Sequence, residues 1–192
     1  VEAWEHKTRK HTDEPTLAIG VMVDVSGSMG GAMNPMATTA WVLAEAGRRI
    51  QARTAMVYYG EGVFPTLRVG QRLNEVNVYS APDGTEKFNE GFMALEAHLN
   101  LLDSRGAKLL VIVSDGHYTS SQVASAKKWI AECDKKGVAV LWLTFDSNTG
   151  NLTQYLKGTS GEAVSLAGST PEQSAILIGK AGAEAIGKIG KR

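Results

Sequence analysis

Asp24, Ser26 and Ser28 stand at alternate positions in the segment Asp24-Val25-Ser26-Gly27-Ser28-Met29. Alternate side chains of an extended segment point the same way, so one carboxylate and two hydroxyls can converge on one point. Gly27 lets the chain turn tightly between the serines. Converging oxygens suit a hard cation. Mg²⁺ takes six oxygens at about 2.0–2.1 Å and keeps several of them as water. The plainer alternative is that serine and glycine after a strand are ordinary turn residues, with Ser28 capping a helix.

The surrounding elements decide whether such a point can exist. Residues 17–24 form a continuous apolar run ending in an acid, the pattern of a parallel strand buried on both faces. Residues 107–114 form a second such run, followed by Asp115, and 138–145 a third. The segments 54–59 and 63–69, joined by Gly60-Glu61-Gly62, predict a hairpin, 76–80 a short extra strand, and 162–166 a last strand. Apolar residues at three- and four-residue spacing predict helices over 35–52, 86–102, 120–136 and 171–189, with a short one at 152–157. Pro35 suits a first helical turn, Gly137 a helix end, and Thr170-Pro171 a helix start. Strands alternating with helices give an α/β, three-layer αβα sandwich of Rossmann-like type, with a mainly parallel central sheet and one short antiparallel edge strand. Ligands of open α/β sheets bind beyond the carboxyl ends of the strands, which is where Asp24 and Asp115 fall.

Composition bounds the rest. A chain of 192 residues fits one domain. Residues 1–15, polar and without periodicity, read as an N-terminal tail or linker before a domain over 16–192. His6 and His11, five apart, do not share a helical face and make no metal site there. Lys+Arg and Asp+Glu both number 20, which argues against nucleic acid or an anionic membrane as the partner. The single cysteine, Cys133, allows no internal disulfide and no thiolate zinc site. No apolar run reaches the roughly 20 residues needed to span a bilayer. No signal peptide is visible, and the chain starts at Val1, as a fragment or processed product would. The expected location is cytoplasmic and the expected state in isolation monomeric.

Asp24-x-Ser26-x-Ser28 after a buried apolar strand resembles the metal-ion-dependent adhesion site of von Willebrand factor A-type (VWA) and integrin I-like domains. Two further segments resemble that family in order: Asp83-Gly84-Thr85 its Gly-Gly-Thr loop, and Ser114-Asp115-Gly116 its strand-ending Thr/Ser-Asp-Gly. Asp83 departs from the family's glycine. The resemblance spans roughly residues 17–166 and implies a five-residue metal site: Asp24, Ser26, Ser28, Thr85 and Asp115. It implies Mg²⁺ as the ion, with Mn²⁺ and Ca²⁺ also suited to a hydroxyl-rich site. It further implies a protein-interaction module, not an enzyme, that takes a partner's Asp or Glu at an open coordination position. The start Met22-Val23-Asp24-Val25-Ser26-Gly27-Ser28-Met29 is similar to prokaryotic intracellular members, the VWA parts of metal-chelatase subunits and of partners of MoxR-type AAA+ ATPases.

Two rivals remain. One is a surface adhesion protein of the same family. The other is a Mg²⁺-dependent phosphohydrolase of haloacid-dehalogenase type, which also ends its first buried strand in an aspartate. That class needs an acid two residues on, and here the position is Ser26. No Gly-x-x-x-x-Gly-Lys-Ser/Thr loop and no Gly-x-Gly-x-x-Gly fingerprint is present, and Ser125-x-x-Lys128 falls mid-helix. His117 and His98 read as surface histidines, and Tyr58 and Tyr59 as core and edge packing.

Overall fold

A computed structural model describes residues 17–79 and 86–190. The expected tail over 1–15 and the threonine at 85 lie outside the described residues. Six strands form one sheet: β1 Leu17–Asp24, β2 Arg53–Tyr59, β3 Val63–Leu67, β4 Ala107–Val113, β5 Ala139–Thr144 and β6 Glu162–Ser165. Their order is β3-β2-β1-β4-β5-β6, and every pairing is parallel except the β2–β3 hairpin at one edge. Pro65 lies in that edge strand, where a missing N–H is tolerated.

The unbroken apolar runs follow from two covered faces. Ile19, Val21 and Val23 of β1 pack into a core under α1 (Met33–Arg49) and α5 (Pro171–Ile189). Ala18 and Met22 of the same strand pack into a second core under α2 (Phe88–Leu99), α3 (Ser120–Lys135) and the one-turn α4 (Thr153–Leu156). Helix, sheet and helix form three layers, as the alternation of elements predicts. None of the described helices is long and apolar enough to cross a membrane. Cys133 is buried in the second core, and burial pushes its thiol up to about 12, the behaviour of an inert packing residue.

The helix ends have local causes. Thr170 and Gln173 form a reciprocal capping box ahead of Pro171, with Thr170 Oγ1 accepting from Gln173 N and Gln173 Oε1 from Thr170 N. Gly137, at φ +69°, turns the chain after α3. α2 stops three residues short of the predicted 102, because Asn100 adopts the left-handed conformation at φ 51°. Leu101 then turns into the second core, so its apolar neighbours prolong the helical pattern past the helix. At the start of α1, residues Gly27–Ala32 form a 3₁₀ turn that runs straight into the helix, two residues earlier than expected. The predicted strand at 76–80 is absent over 76–79: Val76 and Val78 alternate as a strand would, but both are exposed and pair with nothing in the sheet.

Strand order creates the feature that matters for function. From β1 the chain moves to β2 and β3 on one side, then crosses to β4, β5 and β6 on the other. The carboxyl ends of β1 and β4 therefore flank a topological switch point, where helices on opposite faces leave a crevice.

Close packing between α1 and β2 gives a first prediction. A Cβ on Gly47 would lie 2.3 Å from Thr54 Oγ1. Alanine gains about 1 kcal/mol of helix propensity over glycine, whereas overpacking a tight interface costs about 1–3 kcal/mol. Gly47→Ala should therefore lower the urea midpoint at unchanged slope, and a raised midpoint would show that α1 can lift off β2 without loss.

Candidate metal centre

β1 delivers Asp24 to the switch point, and β4 runs beside it with Val23 paired to Val113. The next residues of the two strands, Asp24 and Ser114, are thereby neighbours. Ser114 Oγ donates to Asp24 Oδ2 at 2.6 Å, and the backbone N–H of Ser26 donates to Asp24 Oδ1 at 2.9 Å. Ser26 is still extended (φ −62°, ψ 165°), so the strand's alternation carries its hydroxyl to the side of Asp24 before the 3₁₀ turn begins. That turn brings Ser28 Oγ to 3.3 Å from Ser26 Oγ. Adjacent vertices of a Mg²⁺ octahedron lie about 3.0 Å apart, and ligands at Ca²⁺ distances about 3.4 Å apart, so the serine pair already has the spacing of two cation ligands. Neither serine makes a side-chain cap bond to the 3₁₀ turn or to α1, which removes the capping alternative for Ser28.

Asp115 closes the other side. Its Oδ1 accepts from His117 N at 3.0 Å. Gly116 has φ +74°, and a Cβ there would meet Leu152 Cδ2 at 2.5 Å, so both backbone and space require glycine. Aromatic and amide groups pin this loop from behind: Trp142 Nε1 donates to Ser114 O at 3.0 Å, Tyr155 OH to Gly116 O at 2.7 Å and Asn151 Nδ2 to Asp115 O at 3.3 Å. Tyr118 OH reaches Ser114 Oγ at 2.9 Å, and Tyr59 OH lies 2.5 Å from Tyr118 OH. Asp115 and Ser28 share the lining of one open groove of about 420 Å³, together with Met29, Asp146 and Leu166. His117 is exposed, whereas His98 is half-buried on α2.

The electrostatics are unusual for an acid. Asp24 has no solvent exposure. Burial pushes its carboxyl up from 3.8 to about 6; the hydrogen bonds from Ser114 and Ser26 pull the other way, and nearby Asp115 adds to the rise. Among the described residues no Lys, Arg or His forms an ion pair with it. A buried carboxylate without a cation is costly. A hard divalent ion fits the donors present, two carboxylates and two hydroxyls. Among the described residues no group of three or more His, Cys, Asp and Glu converges, so hydroxyl oxygens would have to supply part of any ligand set here.

Of the five residues singled out in the sequence, Asp24, Ser26 and Ser28 adjoin through hydrogen bonds, and Ser28 and Asp115 line one groove. Thr85 lies outside the described residues. Glu86, just after it, is buried and accepts from Thr119 N at 3.3 Å, while Lys87 N donates to Gly60 O at 3.1 Å. Sequence reasoning took Ser114 only as part of the Ser114-Asp115-Gly116 segment and Tyr59 only as packing, and missed Tyr118, Asn151 and Tyr155. The parity of β4 against β1 would have found Ser114, but only once their register was known.

No protein-family model matches the chain, and no curated protein matches it by sequence. Solved structures do. Proximal thread matrix protein 1 from the mussel byssus superposes with TM-score 0.60 at 13% identity, over 90% of this chain and 48% of that one. Manganese-loaded TRAP protein of Plasmodium vivax superposes with TM-score 0.59 at 13% identity, over 85% of this chain and 72% of that one. The fold is of the VWA type. The chain spans about half the length of the mussel protein.

The buried acid gives a prediction for the metal-free VWA-type fold. Its folded value of about 6 exceeds the ordinary 3.8, so the folded state holds this proton more tightly than the unfolded chain does. Its contribution to stability is full below pH of about 4 and is lost as pH rises through about 6, a change of roughly 3 kcal/mol. Asp24→Asn should remove that loss. Urea unfolding of both proteins in EDTA from pH 4 to 7.5 reads the difference, and a difference independent of pH would show that burial does not perturb this carboxyl.

Proposed function

We propose that this chain is a metal-dependent protein-interaction module that grips a partner's Asp or Glu through a bound divalent cation, Mg²⁺ in the first instance. Mn²⁺ and Ca²⁺ also suit the oxygen donors. The observation that carries the reading is Asp24: a carboxylate with no exposure and no cationic neighbour among the described residues, placed beside two hydroxyls at ligand spacing.

Each residue has a distinct task. Ser26 and Ser28, with Thr85 from its own loop, would supply neutral hydroxyl ligands. Asp24 and Asp115 would balance charge, directly or through water. The ion supplies Lewis acidity toward an anionic oxygen. With neutral hydroxyls as the direct ligands and the two carboxylates acting through water, the ion would stay electrophilic, which favours an incoming carboxylate as a direct ligand. Ser28 is exposed and Asp24 fully buried, so the protein side of the site is closed and the groove side open. Manganese is carried by TRAP, a protein of similar fold, which makes Mn²⁺ a natural probe. The sequence resemblance to intracellular members points to a partner such as a MoxR-type AAA+ ATPase or a chelatase complex, with the module cytoplasmic and monomeric on its own. No reaction is part of the proposal, because Ser26 stands where a phosphohydrolase would need its second acid.

The test uses water-proton relaxation of bound Mn²⁺. The wild-type protein should bind Mn²⁺, and a short Asp-containing peptide should lower the relaxivity as its carboxylate replaces coordinated water. Asp24→Ala and Ser26→Ala should abolish binding with unchanged circular dichroism. Mn²⁺ bound equally well by Asp24→Ala would sink the reading. Thr85→Ala should weaken the peptide step by about tenfold or more, since losing even a partner that only orients a ligand costs that much at a metal centre.

A further inference from the structure

Behind Asp24, away from the groove, three hydroxyls stand in single file. Tyr59 OH lies 2.5 Å from Tyr118 OH, Tyr118 OH 2.9 Å from Ser114 Oγ, and Ser114 Oγ 2.6 Å from Asp24 Oδ2. Their hydrogens have one arrangement. An ionised carboxylate only accepts, so the Ser114 hydrogen is committed to Asp24. Gly116 N donates to Ser114 Oγ at 3.0 Å, so together with Tyr118 it fills both lone pairs of that oxygen. Tyr118 has one hydrogen, spent on Ser114, so Tyr59 must be the donor to Tyr118. All three dipoles then point their positive ends toward Asp24.

The file crosses the sheet. Tyr59 ends β2, Asp24 ends β1, and Ser114 and Tyr118 follow β4, so three adjacent strands each contribute at their carboxyl edge. Ring packing bars the phenols from swinging away. Tyr59 meets Phe88 edge-on at 5.7 Å between centroids, while Tyr118 packs against Trp142 at 6.0 Å and Tyr155 at 5.7 Å. Chains of hydrogen bonds polarise one another, so each donor strengthens the next. Removal of the partners that orient a metal ligand typically costs 10–100-fold in metal affinity.

We propose that Tyr118 and, through it, Tyr59 are positioning residues that lock the Ser114 hydroxyl onto Asp24 and so hold that carboxylate aimed at the cation. The role rests on the divalent-ion reading above. The hydrogen bonds run in series, Tyr59 to Tyr118 and Tyr118 to Ser114, so the main path from Tyr59 to Asp24 passes through Tyr118.

Series action has a signature in a double-mutant cycle. Mn²⁺ titration of Tyr118→Phe should show about tenfold weaker binding, and Tyr59→Phe a smaller loss. The double variant should match Tyr118→Phe within twofold. Metal-free thermal unfolding supplies a second readout. Tyr118→Phe strands the Tyr59 hydroxyl without its acceptor and should lower the Tm, and adding Tyr59→Phe should recover part of that loss, because removing both partners costs less than orphaning one. Metal affinity unchanged in Tyr118→Phe overturns the positioning role. So does a Tyr59→Phe effect that persists at full size in a chain already carrying Tyr118→Phe, because the two phenols would then act independently. A wild-type protein that takes up no Mn²⁺ overturns the divalent-ion reading and this role with it. The Tm cycle distinguishes that failure, since coupling of the two hydroxyls is read there without metal.

Discussion

A single buried negative charge organises the functional edge of this protein. Asp24 sits at the end of the central strand with no solvent exposure, and the arrangement around it offsets only part of the cost of putting it there. Two donors, Ser26 N and Ser114 Oγ, satisfy one lone pair on each carboxylate oxygen. They pull its proton affinity down while desolvation pushes it up, and desolvation wins. A residue so placed is neutralised by a proton or a cation, and on the proposed reading the crevice lies where the cation would go.

The sheet makes the placement rigid. β1 and β4 are apolar on both faces and locked between two cores, so their carboxyl ends hold a fixed register and bring Asp24 beside Ser114. The two walls of the crevice differ. The wall from β4 is tied down by Trp142, Tyr155 and Asn151, whose polar tips all bond the backbone of residues 114–116. The opposite wall is the 3₁₀ turn Gly27–Ala32, anchored by buried Met29, while Gly30 and Gly31 have open space where a side chain would be. One wall is pinned by side-chain hydrogen bonds, and the other carries two glycines with open space around them.

Most of the fold was legible because its signals are periodic and long. Continuous apolar runs gave β1, β4 and β5, helical spacing gave the long helices, and the hairpin turn gave the antiparallel edge. What misled was local. Val76 and Val78 alternate like a strand, yet propensity cannot supply a neighbour to pair with, and the sheet has none there. The end of α2 was overrun because Leu102 keeps the helical spacing and packs against the second core for a tertiary reason, after Asn100 has already turned the helix off. At the site, Asp24, Ser26 and Ser28 were legible from their two-residue spacing, and Asp115 from ending a buried strand. The supporting layer was not, because Tyr59, Ser114 and Tyr118 look like strand and loop filler until three strands are set side by side.

Exposure rises in order from Asp24 and Ser26, both fully buried, through Asp115, at 8%, to exposed Ser28. A catalytic pocket would tend to bury the position where chemistry occurs, so as to exclude water. Here burial is spent on the charge beneath, while the outermost hydroxyl opens onto a groove of about 420 Å³. On the proposed reading, that gradient divides the work. The deep acid and the hydroxyl file behind it hold the ion, and the shallow ligands leave its outer face to the visitor. Affinity for the ion and affinity for the partner would then be set by different residues, and either could change without remaking the other.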